Sequence, residues 1–363
     1  MADQENFEFD QELKIRVVES GIKFLQPART SRDVMKSRPC WYVHVTHPSF
    51  SGKMGTGECA PLFGLSVEKP EIIADGIQEL IRQPEKWSQT HFRHHYPSLV
   101  MAMETAIRSL RSDRPWLLFP EHPISKDTAI PINGLVWMNT LETMREEAFA
   151  KAYSGYSCIK FKIGGIDFED EVSLIRELRA SFPADKLEIR LDANGAFSPE
   201  EAANKLDRLA AFQIHSIEQP IRRAQWKEMA ALCRHSPIPI ALDEELIGVA
   251  DPNERSLLME TIKPAYLVLK PSLLGGFASS ENWIERAAQI NAGWWATSAL
   301  ESNVGLNAIA QWLVGFQTEM AQGLGTGALF KSNTHSFWKA GAGMLRYDSA
   351  EPPLDWNQLN PAQ

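Results

Sequence analysis

From Ile130 onward the chain alternates short apolar runs with longer stretches whose apolar positions recur every three or four residues. The short runs read as strands: Ile130–Trp137, Cys158–Gly164, Glu188–Asn194, His215–Gln219, Ile238–Glu244, Tyr266–Ser272, Gly293–Ala299 and Gln322–Thr326. The stretches between them read as helices. Asp167–Phe182 opens with acidic residues and carries Val172, Ile175 and Leu178 on one side. Ser198-Pro-Glu-Glu201 combines an N-cap serine, a first-turn proline and a capping-box glutamate, and Leu206, Leu209 and Phe212 follow on one face. Lys162, Asp192, Glu218, Asp243, Lys270 and Ser298 mark successive strands at steps of 30, 26, 25, 27 and 28 residues, each the size of one βα unit. Eight such strands predict a closed (β/α) barrel rather than an open sheet. Their few polar interruptions suit burial on both faces.

The first third patterns differently. Gly21–Phe24 and Cys40–Val45 read as strands, Ile72–Ile81 and Ser98–Leu110 as helices, and Gly55–Pro61 (G-T-G-E-C-A-P) as a glycine-rich turn. Proline-punctuated Arg114–Pro131 reads as a linker to the barrel. His91, His94 and His95 cluster without partner ligands at suitable spacing, as expected of a solvated helix face.

Composition narrows the partners. A formal net charge of −9 over 363 residues excludes the basic face of a nucleic-acid binder and a polybasic membrane anchor. Apolar runs stay below the length needed to span a bilayer. Acidic Met1–Glu12 has no apolar signal core and reads as a short solvated tail. Cys40, Cys59, Cys158 and Cys233 are scattered, which suits free thiols in a reducing cytoplasm.

Candidate chemistry follows from the strand ends, where barrels of this kind keep their sites. In C-I-K-F-K-I-G, Lys160 and Lys162 share one face and Ile159, Phe161 and Ile163 the other. Two neighbouring ammonium groups are expected to depress the pKa of at least one of them, which would make a base. Asp192, Glu218 and Asp243 end three adjacent strands, and three converging carboxylates need a cation. Oxygen ligands in this number suit Mg²⁺. Lys162 precedes the trio by one strand and Lys270 follows it by one, so the amines flank whatever the metal holds. Strand eight carries Gly323-Leu-Gly325-Thr326-Gly327-Ala328-Leu329, with no acid. Its backbone amides, with Ser298, suit an anionic or carbonyl-bearing substrate arm. A phosphate site and a purely structural glycine turn are the alternatives there.

The ordered set K-F-K (160–162), D-A-N (192–194), I-E-Q-P (217–220), Asp243-Glu244 and L-K-P-S-L-L-G-G (269–276) resembles the enolase superfamily, and within it the muconate lactonising branch, over nearly the whole chain. The resemblance implies an α/β fold: a (β/α)7β-type barrel over 127–335 under an α+β capping domain built from 1–126 and the 336–363 tail. It implies Mg²⁺, with Mn²⁺ as a substitute, on Asp192, Glu218 and Asp243. It implies Lys162 and Lys270 as the catalytic pair and Lys160, Ser298, Gly325 and Thr326 as substrate contacts. Arg190, Asn194 and Glu244 are expected to orient these groups from behind, and Leu25–Arg32 and Leu62–Ser66 are guessed to reach the substrate from the cap. The partner implied is a small carboxylate; a homo-oligomer is compatible. Within the branch, T-S-A-L-E-S-N-V-G followed by G-L-G-T-G resembles o-succinylbenzoate synthases, which act in menaquinone biosynthesis. Dipeptide epimerases of the branch carry an Asp-x-Asp pair for the substrate ammonium at strand eight, and this chain has none. N-acylamino-acid racemisation stays open, muconate cycloisomerisation is more distant, and a non-catalytic metal-bound scaffold would need neither Lys162 nor Lys270.

Overall fold

The N-terminal third builds an antiparallel sheet. In the computed structural model, which describes residues 12–29, 34–331 and 333–348, strands β1 (Lys14–Arg29), β2 (Val34–Thr46) and β3 (Gly55–Cys59) lie in the order β1-β2-β3. The expected tail Met1–Glu12 falls outside the described residues except for Glu12, as do residues 30–32 of the expected loop and 349–363 of the expected C-terminal tail. Glycine-rich 55–59 is a strand rather than a turn, and the reason is packing. A Cβ on Gly55 would stand 1.9 Å from the Ala106 carbonyl oxygen, and one on Gly57 2.0 Å from that of Ala102. The glycines let the helix Pro97–Arg111 lie directly on the strand. Val43, Val45, Leu99, Met103 and Ile107, with Ile73 and Leu80 from the helix Pro70–Arg82, form an apolar core separate from the main one.

The barrel strands are β5 (Gly134–Val136), β6 (Cys158–Lys162), β7 (Glu188–Asp192), β8 (Ser216–Glu218), β9 (Ile240–Leu242), β10 (Tyr266–Leu269) and β11 (Gly293–Ala296). All pair in parallel and in chain order. The eighth strand is reduced to two parallel bridges, Thr297 with Gly323 and Ile132 with Gln322, which close the ring. The Gln322 side chain replaces ladder bonds there, accepting from Ala296 N at 2.7 Å and donating to the Met320 carbonyl at 2.7 Å. The helix cap at Ser198 is a reciprocal capping box with Glu201, as its sequence predicts.

The pairing register gives the barrel's stagger. Starting at Lys162 and extending each pair, the row runs through Asp192, Glu218, Ala241, Tyr266, Gly293, Glu319 and Ala129 back to Ser154. The return is eight residues displaced, from 162 to 154, the shear of a TIM barrel. Constant height therefore requires one residue of advance per strand. Lys270, Ser298 and Gly325 reach the level of Lys162 in this way, and Asp192, Glu218 and Asp243 sit one or two residues beneath it.

Two expectations need correcting at the barrel's start and end. Arg114–Pro131 is not a plain linker: Leu118 and Phe119 are buried in the main core, and Ala129–Pro131 forms β4. The first barrel run is accordingly split into β4 and β5. The C-terminal hairpin, β12 (Trp338–Gly341) and β13 (Met344–Tyr347), pairs with β4, and Phe337, Trp338 and Leu345 join the barrel core. The described part of the tail thus packs on the barrel's first strand rather than on the N-terminal sheet. Among the described residues no helix is long and apolar enough to cross a membrane.

Candidate active site

Lys162 and Lys270 project from β6 and from the end of β10, four strands apart in a ring of eight. They therefore face each other across the barrel mouth. Between them stand the three carboxylates, each countered by a lysine. Lys162 Nζ is 2.7 Å from Asp192 Oδ2 and donates to Asn194 Oδ1 at 2.8 Å. Lys160 Nζ is 2.9 Å from the same Asp192 oxygen and pairs closely with Glu218 Oε2. Lys270 pairs closely with Asp243 Oδ2 and lies 4.0 Å from Glu218 Oε1. The carboxylates are fully buried, and each lysine is no more than 9 % exposed.

Electrostatics follows from that order of charges. Burial opposes the Lys160 ammonium, but Asp192 and Glu218 outweigh it and raise its pKa above the ordinary lysine value. Lys270 is likewise disfavoured by burial and raised by Asp243 and Glu218. Of the two adjacent lysines, Lys160 is therefore raised rather than depressed, because carboxylates from the next strands are interleaved with the amines. Burial pushes Asp192 up, and Lys160 and Lys162 together bring it well below the carboxylate range. Glu218 goes the other way: burial first, then Asp192 and Asp243 on either side, raise it well above.

That imbalance is a test of the donor set for a cation. Among the described residues no three His, Cys, Asp or Glu side chains are already gathered as a metal-holding group, since the carboxylates turn toward the lysines. Yet Glu218 Oε1 and Asp243 Oδ1 are buried oxygens with no hydrogen-bond partner. A hard divalent cation among three buried carboxylates would relieve the repulsion that raises Glu218 and would engage both oxygens. The residues fit such an ion.

The supporting residues divide. Asn194, at a positive φ of 48° just past β7, accepts from Lys162 and donates from Nδ2 to Glu244 Oε1 at 3.0 Å, so it ties the lysine to the β9 end. Asn194 itself lines the cavity beside Lys162, and Glu244 holds it from the β9 end. Arg190 does neither. Its guanidinium points down the lumen to Glu188 (2.6 Å), the Ala321 carbonyl (2.8 Å) and the face of Trp295 (4.3 Å). Two residues below Asp192 on a tilted strand, it is too deep to reach the carboxylates and struts the eighth strand instead.

A cavity of about 370 Å³ opens above this layer, the size of a small-molecule site. Lys160, Lys162, Lys270, Ser298, Gly325 and Thr326 line it, as do Leu62 and Leu65 of the expected cap loop. Ser298 Oγ is committed to Glu301 Oε2 at 2.6 Å, and Thr326 Oγ1 is buried without a partner. The sequence reading missed Asn133, Trp137 and Leu300. Asn133 and Trp137 share the inward face of the first barrel run with Leu135, and period-two alternation from Asn133 was the available signal. The Trp137 ring lies 6.0 Å from Lys162 Nζ. Leu300 sits at a φ of 66° that no local pattern announces.

Comparison with known proteins places the chain in a family. Residues 143–337 match the family described as enolase C-terminal domain-like. The o-succinylbenzoate synthase of Desulfotalea psychrophila is 42% identical over 359 residues, covering 90% of this chain and 96% of the relative. The crystal structure of MenC from the same organism superposes with a TM-score of 0.80 at 39% identity, over 92% of this chain and 99% of that one. The L-Ala-D/L-Glu epimerase of Bacillus subtilis, at 18% identity and a TM-score of 0.78 over 92% and 95% of the two chains, shares the fold.

Proposed function

The chain belongs to the enolase C-terminal domain-like family, and on that footing we propose that it is an o-succinylbenzoate synthase, a hydro-lyase that converts 2-succinyl-6-hydroxy-2,4-cyclohexadiene-1-carboxylate to 2-succinylbenzoate. The observation that carries the assignment of roles is the diametric placement of Lys162 and Lys270 at one height on either side of the carboxylates.

Asp192, Glu218 and Asp243 would hold Mg²⁺, for which Mn²⁺ would substitute. Bound there, the ion supplies Lewis-acid stabilisation of the ring carboxylate as negative charge develops on it. Lys162 takes the proton from the ring carbon bearing that carboxylate. The ammonium so formed, on the same face, gives a proton to the departing hydroxyl, a syn elimination. Lys270 keeps its charge on the opposite face and stabilises the developing enediolate; its two carboxylate neighbours hold it cationic. Asn194 holds Lys162 in place through its Oδ1. Lys160 adds charge beneath the carboxylate. Ser298 and the turn at Gly325 and Thr326 receive the succinyl arm, and no acid in that turn would attract an ammonium group. Free Cys40, Cys59, Cys158 and Cys233 accord with a cytoplasmic enzyme.

The test is the ultraviolet absorbance change of that substrate with enzyme and Mg²⁺. Turnover should be lost with EDTA and should fall roughly 10²–10⁴-fold in Lys162→Ala. The variant should keep its unfolding midpoint, because Asp192 retains Lys160 at 2.9 Å. A folded, metal-bound enzyme without turnover would refute the reading.

A further inference from the structure

A buried carboxylate outside the lysine layer has no role in the chemistry above. Glu58, 2 % exposed, projects from β3 of the N-terminal sheet into the barrel's last helix, Asn303–Val314. It accepts three hydrogen bonds there: Ser302 N at 2.8 Å, Ser302 Oγ at 2.5 Å and Gly305 N at 2.8 Å. Tyr42 of β2 adds a fourth link, donating to Ser302 Oγ at 3.3 Å. Gly305 is glycine because a Cβ would stand 3.0 Å from Glu58 Oε2 and 2.8 Å from the Glu301 side chain.

The turn thus gripped is the one that forms a wall of the cavity. Ser298 and Leu300 line it. Leu300 is held in the left-handed region, its N–H bonded to Ser298 Oγ at 2.8 Å, while Ser298 Oγ donates to Glu301 Oε2. Such a conformation costs a non-glycine residue about 1 kcal/mol or more and persists only where the surroundings impose it. The Leu300 side chain packs on Ile22 and Phe24 of β1, so the N-terminal sheet holds the turn from two directions. Arg38 of β2 is buried beside Glu301 and Glu58 and bonds the Ala60 carbonyl, which places a positive charge against both carboxylates.

We infer that Glu58 is a positioning residue, which sets the Ser298–Ser302 turn from the N-terminal sheet and so fixes the wall that receives the substrate's anionic arm. The inference rests on the function proposed above for the identity of the arm and for its kinetic readout. Glu58→Gln keeps the volume and an acceptor for Ser302 N but offers no second acceptor for Gly305 N; Glu58→Ala removes all three bonds.

Hydrogen exchange and steady-state kinetics test it together. Amides of residues 298–305 should exchange faster in Glu58→Gln, while those of 266–269 stay as in wild type. KM should rise roughly tenfold, the scale of one lost hydrogen bond to a charged group, with kcat within about threefold. Glu58→Ala should raise KM further; should it not fold, Ser302→Ala serves as the second variant and should show the same split. Faster exchange with unchanged KM would reduce Glu58 to a structural tie and overturn the inference. So would kcat falling as far as kcat/KM. A wild type that does not turn the substrate over defeats the proposed function instead, and exchange at 298–305 then decides Glu58 alone: no acceleration overturns it.

Discussion

Replacing Glu171 by glutamine should change how stability depends on pH. Glu171 lies on the helix Phe168–Ser181, 3 % exposed, and reaches back to the turn that ends β6 just beyond Lys162. Its Oε1 accepts from Gly164 N at 2.6 Å and Gly165 N at 3.3 Å, while Oε2 is buried with no partner. Burial pushes its pKa from 4.5 to about 7, against the pull of the Gly164, Gly165 and Ile166 amides. Below 4.5 the group is protonated both folded and unfolded, and it costs nothing. Between 4.5 and about 7 the unfolded chain releases the proton and the folded chain keeps it, so stability falls as pH rises. Above about 7 the penalty is complete. At about 1.4 kcal/mol per unit, the rise from 4.5 to about 7 amounts to about 3 kcal/mol. Glutamine is neutral throughout and retains the acceptor. Urea unfolding of wild type and Glu171→Gln, followed by tryptophan fluorescence across that pH range, measures the difference. The variant should gain on wild type with rising pH, by about 3 kcal/mol between the acid end and the plateau. Its new amide group adds a constant offset, so the slope is the test. Parallel curves would mean that Glu171 ionises normally in the fold.

Removing divalent metal should leave the wild-type chain folded, because lysines already counter Asp192, Glu218 and Asp243; Lys160→Met should therefore lower the thermal midpoint more in EDTA than in excess Mg²⁺, and equal shifts would refute the counter-charge role. Gly323→Ala should cost about 1–3 kcal/mol by chemical denaturation, since its Cβ would meet Thr297 Oγ1 at 2.1 Å at the closing bridge, and Thr297→Ala should restore part of the loss.

Much of this protein is written locally. Strand and helix periods, the Ser198 capping box and the spacing of acids and lysines are properties of neighbouring residues, so the barrel and its lysine–carboxylate set were legible in the chain. The period-two alternation of Lys160 and Lys162 placed both on one face because every second residue of a strand shares a face, and only the closed barrel turned that face inward. What lay beyond reach depended on contacts distant in sequence. Gly55 and Gly57 read as a turn, and only the helix Pro97–Arg111 lying against them makes them a strand. The pairing of β13 with β4 joins residues more than two hundred positions apart, which no local period encodes. Arg190 shared the face of Asp192, but strand tilt and depth in the lumen decided that it props the eighth strand. The raised pKa of Lys160 was settled the same way: its neighbour in sequence is a cation, but its neighbours in space are carboxylates from other strands. A charge responds to everything within a few ångströms in a buried site, and only the closed barrel determines what that is.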